Sequence, residues 1–224
     1  MSSKKCPRCG MVNWTQAAAC QRCDAALDSV FLDSASEAPD EQRSGPPSLL
    51  KRASLVVGLV ALFIFGSYIS LRATSDAATF EQRQIIARAL DVLEGKTSGE
   101  RVFLLRHLTA YRTSDNWWNR VVGHRDAYAA TNFPFEVVTL YPDFFKVPID
   151  DTERAIVLLH ESYHLAGAGE EKAFAEVWRE KGRLGWTKER YGQTPLWRGV
   201  RAFTVLHAPQ LFRCGSGGAE DCFE

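Results

Sequence analysis

What the chain lacks narrows it first. It has no net charge, because 27 basic residues balance 27 acidic ones. That removes the broad positive field on which non-specific nucleic-acid binding depends, and no nucleic-acid partner is expected. Methionine is scarce: Met1 and Met11 are the whole supply, so nothing later in the chain can be built on it. Cysteine is missing between Cys23 and Cys214, which leaves one group near each end and no disulfide framework through the middle. No internal repeat divides the sequence. Between Ala53 and Leu71 there is no formal charge at all.

That last gap is the first positive feature. The run ASLVVGLVALFIFGSYISL has 19 residues. As a helix it is about 28 Å long, near the hydrocarbon thickness of a bilayer. Its serines can bond back to helix carbonyls, and its glycines are common in membrane spans. A soluble core helix of this length ordinarily carries a polar stripe, and a cleaved leader starts earlier and has a shorter apolar region. Residues 53–71 are therefore expected to form a single transmembrane helix. Lys51 and Arg52 abut its start with Arg43 behind them; Arg72 abuts its end and Arg83 is more distant. This excess puts the amino terminus in the cytoplasm and the carboxy-terminal region outside, in a periplasm or equivalent space. There Cys214 and Cys222 are expected to form a disulfide, the alternative being two free thiols.

Residues 1–25 hold the first cysteine group. Residues 26–52 are a polar, acidic, proline-bearing linker expected to be disordered. Residues 76–224 have a globular composition and read as α+β, mainly helical with a small β-sheet. Phe80–Glu94 is amphipathic, with Ile85, Ile86, Ala89, Leu90 and Leu93 inward and Gly95 ending it. Ser98 caps a second helix that buries Val102, Phe103, Leu105 and Leu108. Phe135–Tyr141 is the best strand. Asp150 and Glu153 form a capping box opening a further helix. Glu170–Arg183 and Pro195–His207, the latter capped by Thr194, complete the helices.

Within the helix opened by Asp150 lies His160-Glu-Ser-Tyr-His164. On a helix, His160 and His164 differ by about 40° in azimuth and about 6 Å along the axis, so both imidazoles can reach one ion. Neutral imidazole suits zinc, and a catalytic site needs a third protein ligand and an open position. Glu161, between the histidines, is the candidate general base. The third ligand must follow a chain reversal, since along one straight helix Glu171 would lie about 10 Å past His164. Gly167 or Gly169 can supply that reversal. Glu171 shares a face with Phe174 and Trp178, and Glu170 shares one with Ala173, Phe174 and Val177, so periodicity does not settle the choice; Glu171 is slightly favoured, and Glu176 is a distant third option. His207, Tyr128, Tyr141 and Tyr163 are weaker candidates for oxyanion stabilisation. Trp117-Trp118 is a candidate cleft lining, and His107 is expected to be packed.

Cys6-Pro-Arg-Cys9 and Cys20-Gln-Arg-Cys23 are two C-x-x-C knuckles ten residues apart. Four thiolates so spaced suit one structural zinc, on which so small a unit would depend to fold. A redox dithiol is the alternative.

Residues 160–171, with the strand-then-helix order before them, resemble the zincin metallopeptidases. The resemblance implies that His160 and His164 bind zinc and that Glu161 acts as base. The string HESYHLAGAGE is also similar to the metzincin pattern H-E-x-x-H-x-x-G-x-x-H, with Gly167 in register and Glu170 in place of the third histidine. Without a downstream methionine for the turn beneath the metal, the gluzincin-like type, with two histidines and a glutamate, is the better match. By the same resemblance Phe135–Tyr141 would line the substrate cleft. The amino-terminal unit resembles a short zinc ribbon and the Ran-binding-protein class of zinc finger, with Asn13 matching and the preceding tryptophan missing.

The expectation is a membrane-anchored zinc metallopeptidase of the HExxH type. It would hydrolyse protein or peptide substrates by zinc-activated water, with one catalytic and one structural zinc, and its ribbon would engage a cytoplasmic protein. The competing expectation is a non-catalytic membrane-anchored sensor or scaffold with a zincin-like binding domain.

Overall fold

The computed structural model describes residues 3–27, 49–123, 128–215 and 220–223. They fall in two units, residues 1–55 and 56–224.

In the first unit, β1 (Ser3–Lys5) and β2 (Val12–Trp14) form an antiparallel hairpin, with Lys4 opposite Asn13. Each C-x-x-C pair is followed by a residue in the left-handed region, Gly10 at φ 74° and Asp24 at φ 56°. These turn the chain so that the amides of Gly10 and Asp24 return to the carbonyls of Cys6 and Cys20. Cys6, Cys20 and Leu27 are buried at its centre. Leu27 thus belongs to this unit and not to the linker. Residues 28–48, the rest of the expected linker apart from its last four residues, lie outside the described residues.

Those last four belong to α1 (Leu49–Ala73), which begins two residues after Pro47, past the last helix breaker before the span. Its 25 residues make it about 37 Å long. Among the described residues it is the one helix long and apolar enough to cross a membrane. Nearly all of it is exposed, whereas Leu71 at its end is buried.

The second unit is mixed α+β. α2 (Phe80–Leu93) starts from a full capping box, Thr79 with Gln82, and buries Ile86, Ala89, Leu90 and Leu93. Gly95 follows in the left-handed region. The expected second helix is corrected. α3 (Gly99–Phe103), capped by Ser98, gives way to a π-helical turn over Leu104–Leu108, where Thr109 N–H reaches back five residues to the Leu104 carbonyl. The wider turn shifts the register of the buried face: Leu105 is buried, while Phe103, His107 and Leu108 are exposed.

A three-stranded sheet has the order β3 (Ala110–Arg112), β5 (Val137–Leu140), β4 (Ala129–Asn132), with β3 parallel and β4 antiparallel to β5. β4 and β5 join through a turn containing the cis bond Phe133–Pro134. α4 (Trp117–Val122) lies between β3 and β4 in sequence, and α5 (Pro142–Lys146) follows β5. The expected strand Phe135–Tyr141 shortens to β5, which is central and buried on every residue. A strand paired on both sides has no free edge, so β4 takes the place beside the cleft.

α6 (Asp151–Leu165) is the core helix, packed on α2, β4 and α7 (Glu170–Glu180). α7 in turn packs on α9 (Pro195–His207), after the short α8 (Lys188–Tyr191). Thr194 caps α9 as expected. Asp150 caps α6, accepting from Glu153 N–H, but Glu153 is not the return arm to Asp150. Its buried carboxylate accepts from Ile149 N–H and the Thr194 hydroxyl. It therefore ties the start of α6 to the start of α9.

The carboxy-terminal segment closes over a tryptophan cluster. Trp178, Trp186 and Trp197 are buried edge to face or tilted against one another. Lys181 lies over the rings of Trp178 and Trp197 and pairs with Asp221 at 2.8 Å. Cys214 and Cys222 are joined by a disulfide.

Candidate metal centres

α6 places His160, Glu161 and His164 where its buried face meets a cavity of about 560 Å³. The helix stops in a Schellman turn. Gly167 takes φ 77°, its N–H bonds the His164 carbonyl, and the Ala168 N–H bonds the Tyr163 carbonyl. A non-glycine residue here would adopt a strained conformation, and its Cβ would meet the Phe133 ring at 3.4 Å. The turn does two things. It reverses the chain, so that α7 starts at Glu170 beside the histidines, and it swings the Ala168 carbonyl to 2.8 Å from His164 Nδ1. With Nδ1–H donating to that carbonyl, Nε2 is the atom of His164 that faces the site.

His160 Nε2, His164 Nε2 and Glu170 Oε2 converge there at 3.0, 3.3 and 3.5 Å from one another. Four-coordinate zinc with bonds of about 2.0–2.1 Å needs neighbouring donors about 3.3 Å apart, so the donor set and its spacing fit. The preference for Glu171 is thereby corrected. Glu171 is exposed and lines a separate shallow depression with Gly169, Lys172 and Gln210. Starting α7 at Glu170 puts consecutive side chains about 100° apart, so only one of the two can face the histidines. Glu176 faces Arg179 at 2.6 Å.

Charge is concentrated at this point. The imidazoles of His160 and His164 hold the Glu170 carboxyl well below the usual carboxylate range. Burial alone would lower His164, but the carboxylates of Glu170 and Glu161 and the Ala168 carbonyl outweigh it and push its pKa up to about 9. Glu161 is buried, and its Oε2 accepts a 2.7 Å hydrogen bond from the Thr131 hydroxyl on edge strand β4. Ala129, Ala130 and Thr131 line the same cavity as Glu161.

The remaining wall is largely apolar. Phe174 of α7 packs on the His160 ring at 4.4 Å and stacks on His207 at 5.5 Å. Tyr128 and His207 line the cavity. Tyr141 instead donates to Asp115 at 2.6 Å and Tyr163 to Glu180 at 2.9 Å, and neither lines the cavity. Trp117 and Trp118 are exposed away from it. His107, expected to be packed, is exposed, its ring tilted against that of Phe103. Thr131 and Phe174 carry no sequence signal that would single them out; a lone strand threonine and a helix phenylalanine read as ordinary packing.

In the amino-terminal unit the sulfurs of Cys6, Cys9, Cys20 and Cys23 lie within 4.8 Å of one another, with Cys6–Cys23 at 3.7 Å and Cys9–Cys20 at 3.5 Å. Zinc–sulfur bonds of about 2.3 Å set tetrahedral sulfur separations near 3.8 Å, so four thiolates can share one ion. Amides already favour the anion: those of Arg22 and Cys23, with the neighbouring thiols, lower the Cys20 thiol to about 6. The Met11 amide favours the Cys9 anion as well, but burial and the three other sulfurs push that thiol to about 12. Asn13, buried, donates to the Met11 carbonyl and toward Cys20 Sγ, and accepts from Gln21 N–H.

Comparison with protein-family models, curated proteins and solved structures finds no match to this chain.

Proposed function

We propose that residues 76–224 form a zinc-dependent peptidase domain of the zincin type, held outside the cytoplasm by α1, and that residues 1–25 form a cytoplasmic zinc ribbon. One observation carries the enzymatic reading: two imidazoles, a carboxylate beside them and a separate, buried carboxylate meet on the wall of one cavity. His160, His164 and Glu170 would hold the catalytic zinc, and Cys6, Cys9, Cys20 and Cys23 the structural one. When bound, the catalytic zinc supplies a Lewis acid and acidifies water.

The protein's own groups do the rest. Glu161 takes a proton at its carboxylate and returns it to the leaving amine nitrogen. The Thr131 hydroxyl holds that carboxylate by one oxygen and leaves the other for the proton. Edge strand β4 has a row of backbone groups on the side away from β5, which an extended peptide can pair with. The apolar wall of Phe174, Val200 and Phe203 excludes water and accepts a side chain. Two features support the topology. The basic residues Lys51 and Arg52 precede the span, and the disulfide and the free thiols lie on opposite sides of it in sequence, as an oxidising exterior and a reducing cytoplasm require.

The test is Glu161→Gln in the full chain. Peptide turnover should fall at least about 100-fold while zinc content stays at the wild-type value. Turnover unchanged by the substitution would overturn Glu161 as the base, and no turnover above background in the wild type would leave a binding domain, the sensor or scaffold, in place of the peptidase.

A further inference from the structure

We infer that α4 is a membrane-surface helix, which seats the second unit on the lipid leaflet where α1 emerges; this rests on α1 being a span. Four of its six residues present apolar side chains to solvent: Trp117, Trp118, Val121 and Val122 are 40, 49, 76 and 52 % exposed. The other face is fully committed. Asn116 and Asn119 are buried and bonded to Asn132 at 2.7 Å each, and Asn119 also bonds Thr139 at 3.0 Å. The helix is fixed, with its apolar side outward.

Its position identifies what covers that side. The Trp117 N–H bonds the Thr74 hydroxyl, and Arg120 bonds the Thr74 carbonyl at 2.9 Å. Arg112 donates to the carbonyls of Arg72 and Ser75. Asp76 N–H bonds Ser114 at 2.8 Å, and Thr113 N–H bonds the Asp76 carbonyl. The Arg72 carbonyl of α1 and the backbone of the residues just past its end are thus bonded from the strand–helix segment that carries α4, with no flexible stalk between. Thr74 lies three residues past Leu71, about 4–5 Å beyond the end of the apolar run. That is the depth of the headgroup region, where tryptophan is enriched. Arg72 and Arg120, both exposed, stand at the same level and match lipid phosphates in charge. A bilayer surface, apolar beneath and anionic above, fits this patch. The asparagine ladder then joins the membrane-seated helix to β4, which fixes the height at which the cavity opens.

The test uses the full chain in nanodiscs of phosphatidylcholine and phosphatidylglycerol, with and without acyl-brominated phosphatidylcholine. Of six tryptophans, Trp178, Trp186 and Trp197 are buried. Brominated lipid should remove up to about a third of the emission, two tryptophans in six, and Trp117→Phe/Trp118→Phe should abolish that loss. A dye on Val121→Cys should shift to the blue on passing from detergent to nanodiscs. Failure to co-float with lipid would overturn both the span and the docking. Co-flotation with equal quenching in wild type and double variant, and an unshifted dye, would overturn the docking alone.

Discussion

His164 concentrates the chemistry of the site in one ring. Its Nδ1 is committed to the Ala168 carbonyl, and its Nε2 faces His160 and Glu170. The carboxylates around it raise its pKa to about 9, so the metal-free ring is protonated at neutral pH and zinc must displace that proton. Binding releases a proton, so affinity should rise with pH, about tenfold per unit, and level off above about pH 9. Chelator-buffered zinc titrations between pH 6 and 9.5 check this; a flat profile below pH 8 would contradict it. Without metal the sign for stability is opposite: the raised pKa stabilises the fold fully below about 6.5, and the gain is lost as pH rises through about 9. Residue identities at this site were largely readable in the sequence, because H-E-x-x-H spacing is set by helix geometry. The partner of Glu161 was not, since Thr131 comes from a strand 30 residues earlier.

The device that makes the site is an element, the turn between α6 and α7. Gly167 bends the chain, and α7 then starts with Glu170 aimed back at α6. Gly167→Ala should cost about 1–2 kcal/mol from the left-handed backbone alone, its Cβ meeting Phe133 only at ordinary contact distance. A lower melting temperature together with weaker zinc binding is the expected pair of results. Weaker zinc binding at unchanged stability would point away from the turn. Need for a reversal was evident from Gly167 and Gly169, but apolar periodicity did not separate Glu170 from Glu171. The start of α7 puts Glu170 beside both histidines, and that start depends on how tightly the Schellman turn closes. The register of Gly167 three residues after His164, with Glu170 three further on, was the better guide. Caps were read correctly at Thr194 and Ser98, where a side chain meets its own helix start. The π-helical turn at Leu104–Leu108 was not foreseen, because no residue type in that stretch marks it.

Across the second unit, the carboxy-terminal segment holds the helices that carry the site. The buried pair Lys181–Asp221 fastens the disulfide-closed carboxy terminus beneath α7 and α9. Trp178 also donates to Asp221 at 2.9 Å. Asp221→Ala strands a buried ammonium and should cost about 3–5 kcal/mol, read as a drop in thermal midpoint. Lys181→Met/Asp221→Leu should recover much of it, because it leaves no unpaired charge. This pair spans 40 residues and could not be inferred from local pattern, unlike the long apolar helix and the four-cysteine cluster, which run length and residue spacing made legible.

The most direct measurement of the central proposal is zinc per chain in the purified full-length protein, with Glu170→Ala and Glu171→Ala beside wild type. Two zinc ions are expected in wild type, one in Glu170→Ala and two in Glu171→Ala. A single zinc in wild type, or a loss on Glu171→Ala with none on Glu170→Ala, would contradict the site built by His160, His164 and Glu170.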